Sequence, residues 1–335
     1  MSAEGARLSS SAFIADLSPH EKSLPRFLLT LALGVVAFAL AVVVGVFVSL
    51  GLLIGAAGWP APTSLENLRA LARRFLELAS SDGHTLADAL QILAVAIPDN
   101  LLPIFAWIGV AVLLQARSVK ALLTSGPRFR WRLLLIGLAL FSLVVGPFVG
   151  VTQWLDPHAA APPVLTVSPD LFQRGLYALV CIAAFFPAAL GEEMLFRGWW
   201  LRETSAVTRN VAALLVINGV FFAAAHLDFS PDGFLERAVL GAGFAYMTLR
   251  LGGIEFSTGA HLANNLMLVL FVQPLTLKAP AATGVTIDVL FENAFLFFAF
   301  ILITEVTARW APLRRWAGVD SGTARASIAV AEHFS

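Results

Sequence analysis

Two carboxylates and a guanidinium, Glu192, Glu193 and Arg197, stand inside an apolar run from 177 to 201 of a 335-residue chain. Ionised groups are expensive in such a run and usually serve function where they occur. On a helix Glu193 and Arg197 are four apart and lie on one face, so they pair and largely cancel each other's burial cost. Glu192 is rotated from Glu193 by about 100° and lacks that partner, which makes it the candidate general base. Further along, His226 follows Phe222 by four residues, and His261 and Asn265 are also four apart, so each pair shares a helix face. Of six histidines, the two within expected spans lie on the helices that follow the glutamate pair.

A buried carboxylate can take a proton from water. A neutral histidine can orient that water or protonate a leaving amine, and an amide with a histidine can donate hydrogen bonds to an oxyanion. Together these groups would hydrolyse a peptide bond without a covalent intermediate. Nucleophiles are poorer candidates. Ser257 precedes His261 by four residues, but Gly-x-Ser-x-Gly is absent, no span holds Gly-x-Ser-Gly, and Ser321 falls in a polar tail. No His-Glu-x-x-His or Gly-x-Gly-Asp is present. No cofactor is expected, yet a divalent metal such as zinc held by Glu192, His226 and His261 stays open, since carboxylate and imidazole are ordinary ligands. A buried ion network that only ties helices together is the other reading of the same residues.

The elements that must position these groups follow from composition. The chain is 58% hydrophobic and 13% charged with 26 Phe, against about 25% charged residues in soluble domains. An all-α, polytopic membrane bundle of about eight transmembrane helices enclosing a polar cavity is expected. A net charge of zero and the lack of a basic run with interleaved aromatics argue against a nucleic-acid partner. The single cysteine, Cys181, excludes an intrachain disulfide and reads as a small core residue.

In order, a polar segment 1–26, from which no signal peptide is expected to be cleaved, leads into a first span at 27–57. Thr63-Ser64-Leu65-Glu66 fits a capping box and opens an amphipathic helix over 63–80, on the membrane or packed on the bundle. The stretch 86–114 is broken at Pro98-Asp99-Asn100, so either a span starts near the break or a kinked helix carries it inside. These elements form an N-terminal section, 27–132. The catalytic core spans 133–309, with helices at 133–151, 171–202, 210–227, 234–251, 256–272 and 289–307, and a bend expected at Pro187. Arg117, Lys120, Arg128, Arg130 and Arg132 precede this core, whereas 152–170 contains no Lys or Arg, which places the basic loop in the cytoplasm. The tail 310–335 is polar, and disorder is expected over 318–335. Measured from the expected helix ends, Glu192 would lie ~18 Å deep, His226 ~24 Å and His261 ~8 Å. Tilt, the bend or broken helices must level them.

Taken in order on successive membrane helices, Glu192-Glu193-x-x-x-Arg197, Phe222-x-x-x-His226 and His261-x-x-x-Asn265 resemble the CPBP family. That family includes CAAX prenyl endopeptidases of the Ras-converting-enzyme type and bacterial proteins linked to bacteriocin processing or self-immunity. The resemblance covers roughly 133–307 and implies an eight-helix bundle enclosing a cavity, with glutamate-dependent intramembrane proteolysis. It would make Glu192 and His226 the water-activating pair, His261 and Asn265 the oxyanion stabilisers, and Glu193, Arg197 and Phe222 supporting residues. The implied partners are membrane lipids and a peptide or protein substrate, with or without a lipid. Ala- and Leu-rich composition and the resemblance together point to a bacterial inner membrane. The alternative is a non-catalytic membrane protein, an immunity factor, scaffold or transporter, that uses the same cluster for binding or helix tethering.

Overall fold

The structure, a computed structural model, describes residues 11–278 and 284–319. Residues 1–10 and most of the tail, including Ser321 and nearly all of the stretch expected to be disordered, lie outside the described residues. The described residues form helices and no strand, with two isolated bridges, Asp82 to Thr276 and Thr124 to Gly253.

A short α1 (Ala12–Ala15) precedes α2 (Leu24–Ala57), which Gly58 ends in the left-handed conformation at φ 66°. Next comes the amphipathic α3 (Leu65–Ser80). Its N-cap is Ser64, one residue later than a box starting at Thr63 requires: the Ser64 hydroxyl accepts from the Asn67 N–H at 3.1 Å. Leu71 and Leu78 are buried, while Leu65, Leu68, Phe75 and Leu76 are exposed, as in a helix that gives part of its apolar stripe to lipid.

The helix α4 (Leu86–Gln115) runs unbroken through Pro98 and Pro103, so Asp99 and Asn100 are carried into the bundle rather than left at an end. After α5 (Val119–Leu123) come α6 (Trp131–Leu155), α7 (Pro163–Thr166) and α8 (Leu171–Glu193). A π-helical turn, Met194–Trp200, follows directly and passes into α9 (Leu201–Val207). The remaining elements are α10 (Val211–Ala225), α11 (Pro231–Leu251), α12 (Glu255–Met267) with a second π-helical turn at Leu268–Val272, α13 (Ile287–Arg309) and α14 (Ala311–Ala317). Side-chain N-caps from Asn210, Ser230 and Thr286 start α10, α11 and α13.

Among the described residues five helical stretches are long and apolar enough to cross a membrane: Leu24–Ala57, Leu86–Gln115, Trp131–Leu155, Leu171–Val207 and Ile287–Arg309. This is an all-α, integral, multi-pass membrane protein. Of the eight expected spans, α10, α11 and α12 do not meet that criterion. The apolar α10 is too short at 15 residues, and for α12 the reason is its place in the bundle. Every residue from Ile254 to Ala263 is buried, so α12 meets protein rather than lipid and needs neither the length nor the unbroken apolarity of a lipid-facing helix.

The polar N-terminal segment is not a loose leader over its described part. Phe13 and Ile14 are buried, and Arg202 at the start of α9 donates to the Phe13 carbonyl and to Glu21 at 2.8 Å. Arg117 closes on the other Glu21 oxygen at 2.7 Å. The strap thus ties the end of α4 to the end of the long α8–α9 helix.

Candidate active site

Glu193 and Arg197 are fully buried and paired, Nη1 to Oε1 at 2.9 Å, as their four-residue spacing requires. The guanidinium also donates to the Gly241 carbonyl at 3.0 Å and lies over the rings of Phe222 and Phe244, at 4.6 and 5.1 Å from their centroids. The close approach of α10 and α11 that allows this needs Gly241: a Cβ there would stand 2.8 Å from the Gly219 Cα and from the Phe222 Cβ.

The same Glu193 oxygen accepts a hydrogen bond from His261 Nδ1 at 3.0 Å. A carboxylate can only accept here, so Nδ1 carries the proton and the opposite nitrogen, Nε2, faces Glu192 Oε2 at 3.7 Å. Phe244 stacks on the His261 ring at 4.8 Å. His226 is held by a comparable device. Its Nδ1 lies 2.7 Å from the Phe222 carbonyl, an acceptor, so Nδ1 donates and Nε2 is left as the nitrogen available to solvent or substrate. Phe222 is the shared wall, with ring centroids 4.6 Å from His226 and 5.9 Å from His261.

Glu192 and His226 line one cavity of about 530 Å³ with Asp99, Asn100, Trp107 and Phe221. Asn265 does not line it. Asn265 lines a second cavity, of about 500 Å³, together with His226 and His261. His226 therefore stands between the two. Among the described residues no three His, Cys, Asp or Glu side chains are placed to hold a metal ion.

The expected difference in depth between His261 and Glu192 is removed by insetting α12. Its first residue, Glu255, is fully buried and held by Arg130, through Nε at 2.8 Å and Nη2 at 2.7 Å. The turn before it is pinned at Ile254 N–H to the Leu123 carbonyl, 2.9 Å. The helix starts inside the protein, against α5, and His261 comes within 3.7 Å of Glu192. The helix α8 continues through Pro187, and the π-helical turn follows just after the glutamates.

Insetting α12 brings it backbone to backbone with α6. A Cβ on Gly259 would collide with the Leu134 carbonyl and stand 2.8 Å from the Leu138 nitrogen. Gly259→Ala is therefore expected to destabilise the fold by about 1–3 kcal/mol through overpacking. Thermal unfolding in detergent reads this, and an unchanged midpoint would mean that α6 and α12 are not packed this closely.

Three groups of residues emerge that sequence reasoning missed or left undecided. Asn100 Nδ2 donates to Glu192 Oε1 at 3.4 Å; its signal was a polar pair within an apolar helix. Asn218, fully buried, donates to the Phe196 carbonyl inside the π-helical turn at 2.9 Å, where it supports the non-standard backbone. An isolated asparagine in α10 was the signal available. The Arg130–Glu255 pair had none, because its partners are 125 positions apart.

Residues 174–267 match the family model described as Type II CAAX prenyl endopeptidase Rce1-like. The chain is also 27% identical over 175 residues to a Bacillus subtilis (strain 168) protein named "Uncharacterized protein YyaK", a match covering 50% of this chain and 56% of that protein. The match thus spans little more than half of the relative's length. No solved structure matches the chain. The matched segment contains both glutamates, Arg197, Phe222, both histidines and Asn265, so the similarity to that family model falls on the residues of this site.

Proposed function

We propose that this protein is an intramembrane endopeptidase, CAAX-protease-like, in which Glu192 activates water for attack on a peptide bond. The observation that carries the reading is a carboxylate without a strong partner, Glu192, on the wall of a largely apolar cavity beside His226, with His261 at its back. Glu192 takes the proton from water whose position His226 Nε2 helps to set, and the oxygen attacks the carbonyl carbon. The oxyanion that forms needs donors. Asn265 supplies its amide, and His261, held through Nδ1 by Glu193, lines the same side of the site. The intermediate then collapses: the C–N bond breaks as the proton held by Glu192 passes to the leaving amine.

Each of these steps uses only proton transfers among the chain's own side chains. Zinc on Glu192, His226 and His261 fits less well. Among the described residues the three groups do not form a ligand set. Hydrolysis should accordingly survive a strong chelator.

The apolar lining beside Glu192, including Val35, Phe38 and Leu195, suits a substrate that presents its bond from within or beside the lipid, with or without an attached lipid. A bacterial inner membrane is the proposed location, in keeping with the Bacillus relative. The test is hydrolysis of a fluorogenic peptide library in detergent. Glu192→Ala and His226→Ala are expected to fold and fail, and full activity in both would overturn the proposal. A non-catalytic tethering role would show instead as a loss of stability in Glu192→Ala equal to that in Arg197→Ala.

A further inference from the structure

The helix α4 carries two polar residues, Asp99 and Asn100, into the wall of the cavity that holds Glu192, and the reaction described so far uses neither. They face different ways. Asp99 is turned toward α2, where a Cβ on Gly45 would stand 2.6 Å from its Oδ1. Asn100 is turned toward α8, and its Nδ2 donates to Glu192 Oε1 at 3.4 Å. The two helices meet at the glutamate itself. Gly191, the residue before it, is packed against α4, so that a Cβ there would stand 3.3 Å from the Ile104 Cγ2 and 3.8 Å from the Leu101 Cδ2. Ile104 follows Asn100 by four residues and shares its helix face, so the contact that seats α4 on Gly191 also aims the amide at Glu192.

Holding helices together does not account for this amide. Its Oδ1 is shut off from the cavity and meets no donor among the described residues. A bond as long as the one from Nδ2 returns little, whereas a buried acceptor left unmet is costly, so Asn100 weakens the packing of α4 rather than securing it. What it does fix is an orientation. Turned over, the amide would set Oδ1 against the carboxylate, acceptor to acceptor. On the far side of that carboxylate, Oε2 faces His261 Nε2 at 3.7 Å, and this nitrogen carries no proton while Nδ1 donates to Glu193. Among the described residues Asn100 is therefore the one side-chain donor on Glu192, and it comes from outside the matched segment 174–267.

We infer that Asn100 is a positioning residue: by holding Oε1 it orients the Glu192 carboxylate and leaves Oε2 as the oxygen that takes the proton from water. The inference rests on the peptidase reading for the reaction itself. It extends that reading to the N-terminal section, whose helix α4 becomes part of the active site rather than an added span. Water gives its proton to Oε2, its O–H bond breaking as the new one forms, and its oxygen attacks the carbonyl carbon. Asn100 gives up no proton and acts through Glu192. A misplaced base slows the chemical step rather than binding, so the effect falls on kcat.

Two variants of the full chain in detergent test this, with the fluorogenic peptide that the unsubstituted protein cleaves fastest. Asn100→Leu keeps the volume and removes the donor; Asn100→Gln keeps the donor, and the cavity beside it has room for one methylene. Asn100→Leu is expected to lower kcat by about 10- to 100-fold with KM within about threefold, and to leave the thermal midpoint equal or higher. Asn100→Gln should recover most of the lost rate. A second readout needs no turnover. The infrared difference spectrum between the unsubstituted protein and Glu192→Gln reports the Glu192 carboxylate, and its band should move when Asn100→Leu is added to both. An unmoved band, cleavage that Asn100→Leu leaves untouched, or Asn100→Gln as slow as Asn100→Leu would overturn the role of Asn100 and leave the peptidase standing. A moved band with no cleavage by the unsubstituted protein would count against the peptidase reading and keep Asn100 as the group that orients Glu192.

Discussion

Glu192→Gln is expected to lower peptide hydrolysis by about 10²–10⁴-fold, the contribution of a positioned general base, with little change in thermal midpoint. The asymmetry follows from what the carboxylate touches. Among the described residues its one hydrogen bond, from Asn100, is long at 3.4 Å, and His261 Nε2 is 3.7 Å away. Glutamine keeps the volume and an acceptor oxygen but cannot take a proton. Activity is read with fluorogenic peptides and stability by thermal unfolding in the same detergent. Hydrolysis that persists within a few-fold of the unsubstituted rate would remove Glu192 from the mechanism, whatever the stability result.

Arg197→Ala should give the opposite pattern, a loss of stability of about 3–5 kcal/mol, the range for breaking a buried pair by removing one partner. Glu193 is fully buried, one of its oxygens already has no hydrogen bond, and the other would keep only His261. The guanidinium also bridges to the Gly241 carbonyl and fills the space between Phe222 and Phe244, so alanine removes packing as well as charge. Arg197→Met combined with Glu193→Gln, which removes both charges and keeps most of the volume, should be milder than Arg197→Ala alone. Equal loss in both would show that the guanidinium's own hydrogen bonds and ring contacts, absent from both variants, outweigh the lost volume and the unpaired Glu193.

Much of this architecture is visible in one dimension. Apolar runs and capping residues mark the long helices, and the i to i+4 spacing foretells the Glu193–Arg197 pair because that contact is local. What stays hidden depends on contacts between distant residues. The π-helical turn over Met194–Trp200 has no residue that demands it; Asn218, from another helix, meets one of its carbonyls. The inset start of α12 depends on Arg130 reaching Glu255. Without that anchor, counting residues from the membrane surface puts His261 too shallow, and the distance between His261 and Glu192 cannot be anticipated. Whether the Pro98-Asp99-Asn100 break lies inside or at an edge is likewise settled by packing against α2, where the Asp99 side chain would meet any Cβ placed on Gly45.

The N-terminal strap has a consequence for how the protein is made. Phe13 and Arg202 are 189 positions apart, and at about 5–20 residues per second a ribosome needs roughly 10–40 s to travel between them. During that interval Phe13 and Ile14, which end almost wholly covered, have no Arg202 to dock on. The clasp must close late in biosynthesis, after the glutamate-bearing helix has been inserted, and until then the nascent chain presents a short hydrophobic segment that chaperones or the translocation machinery can hold.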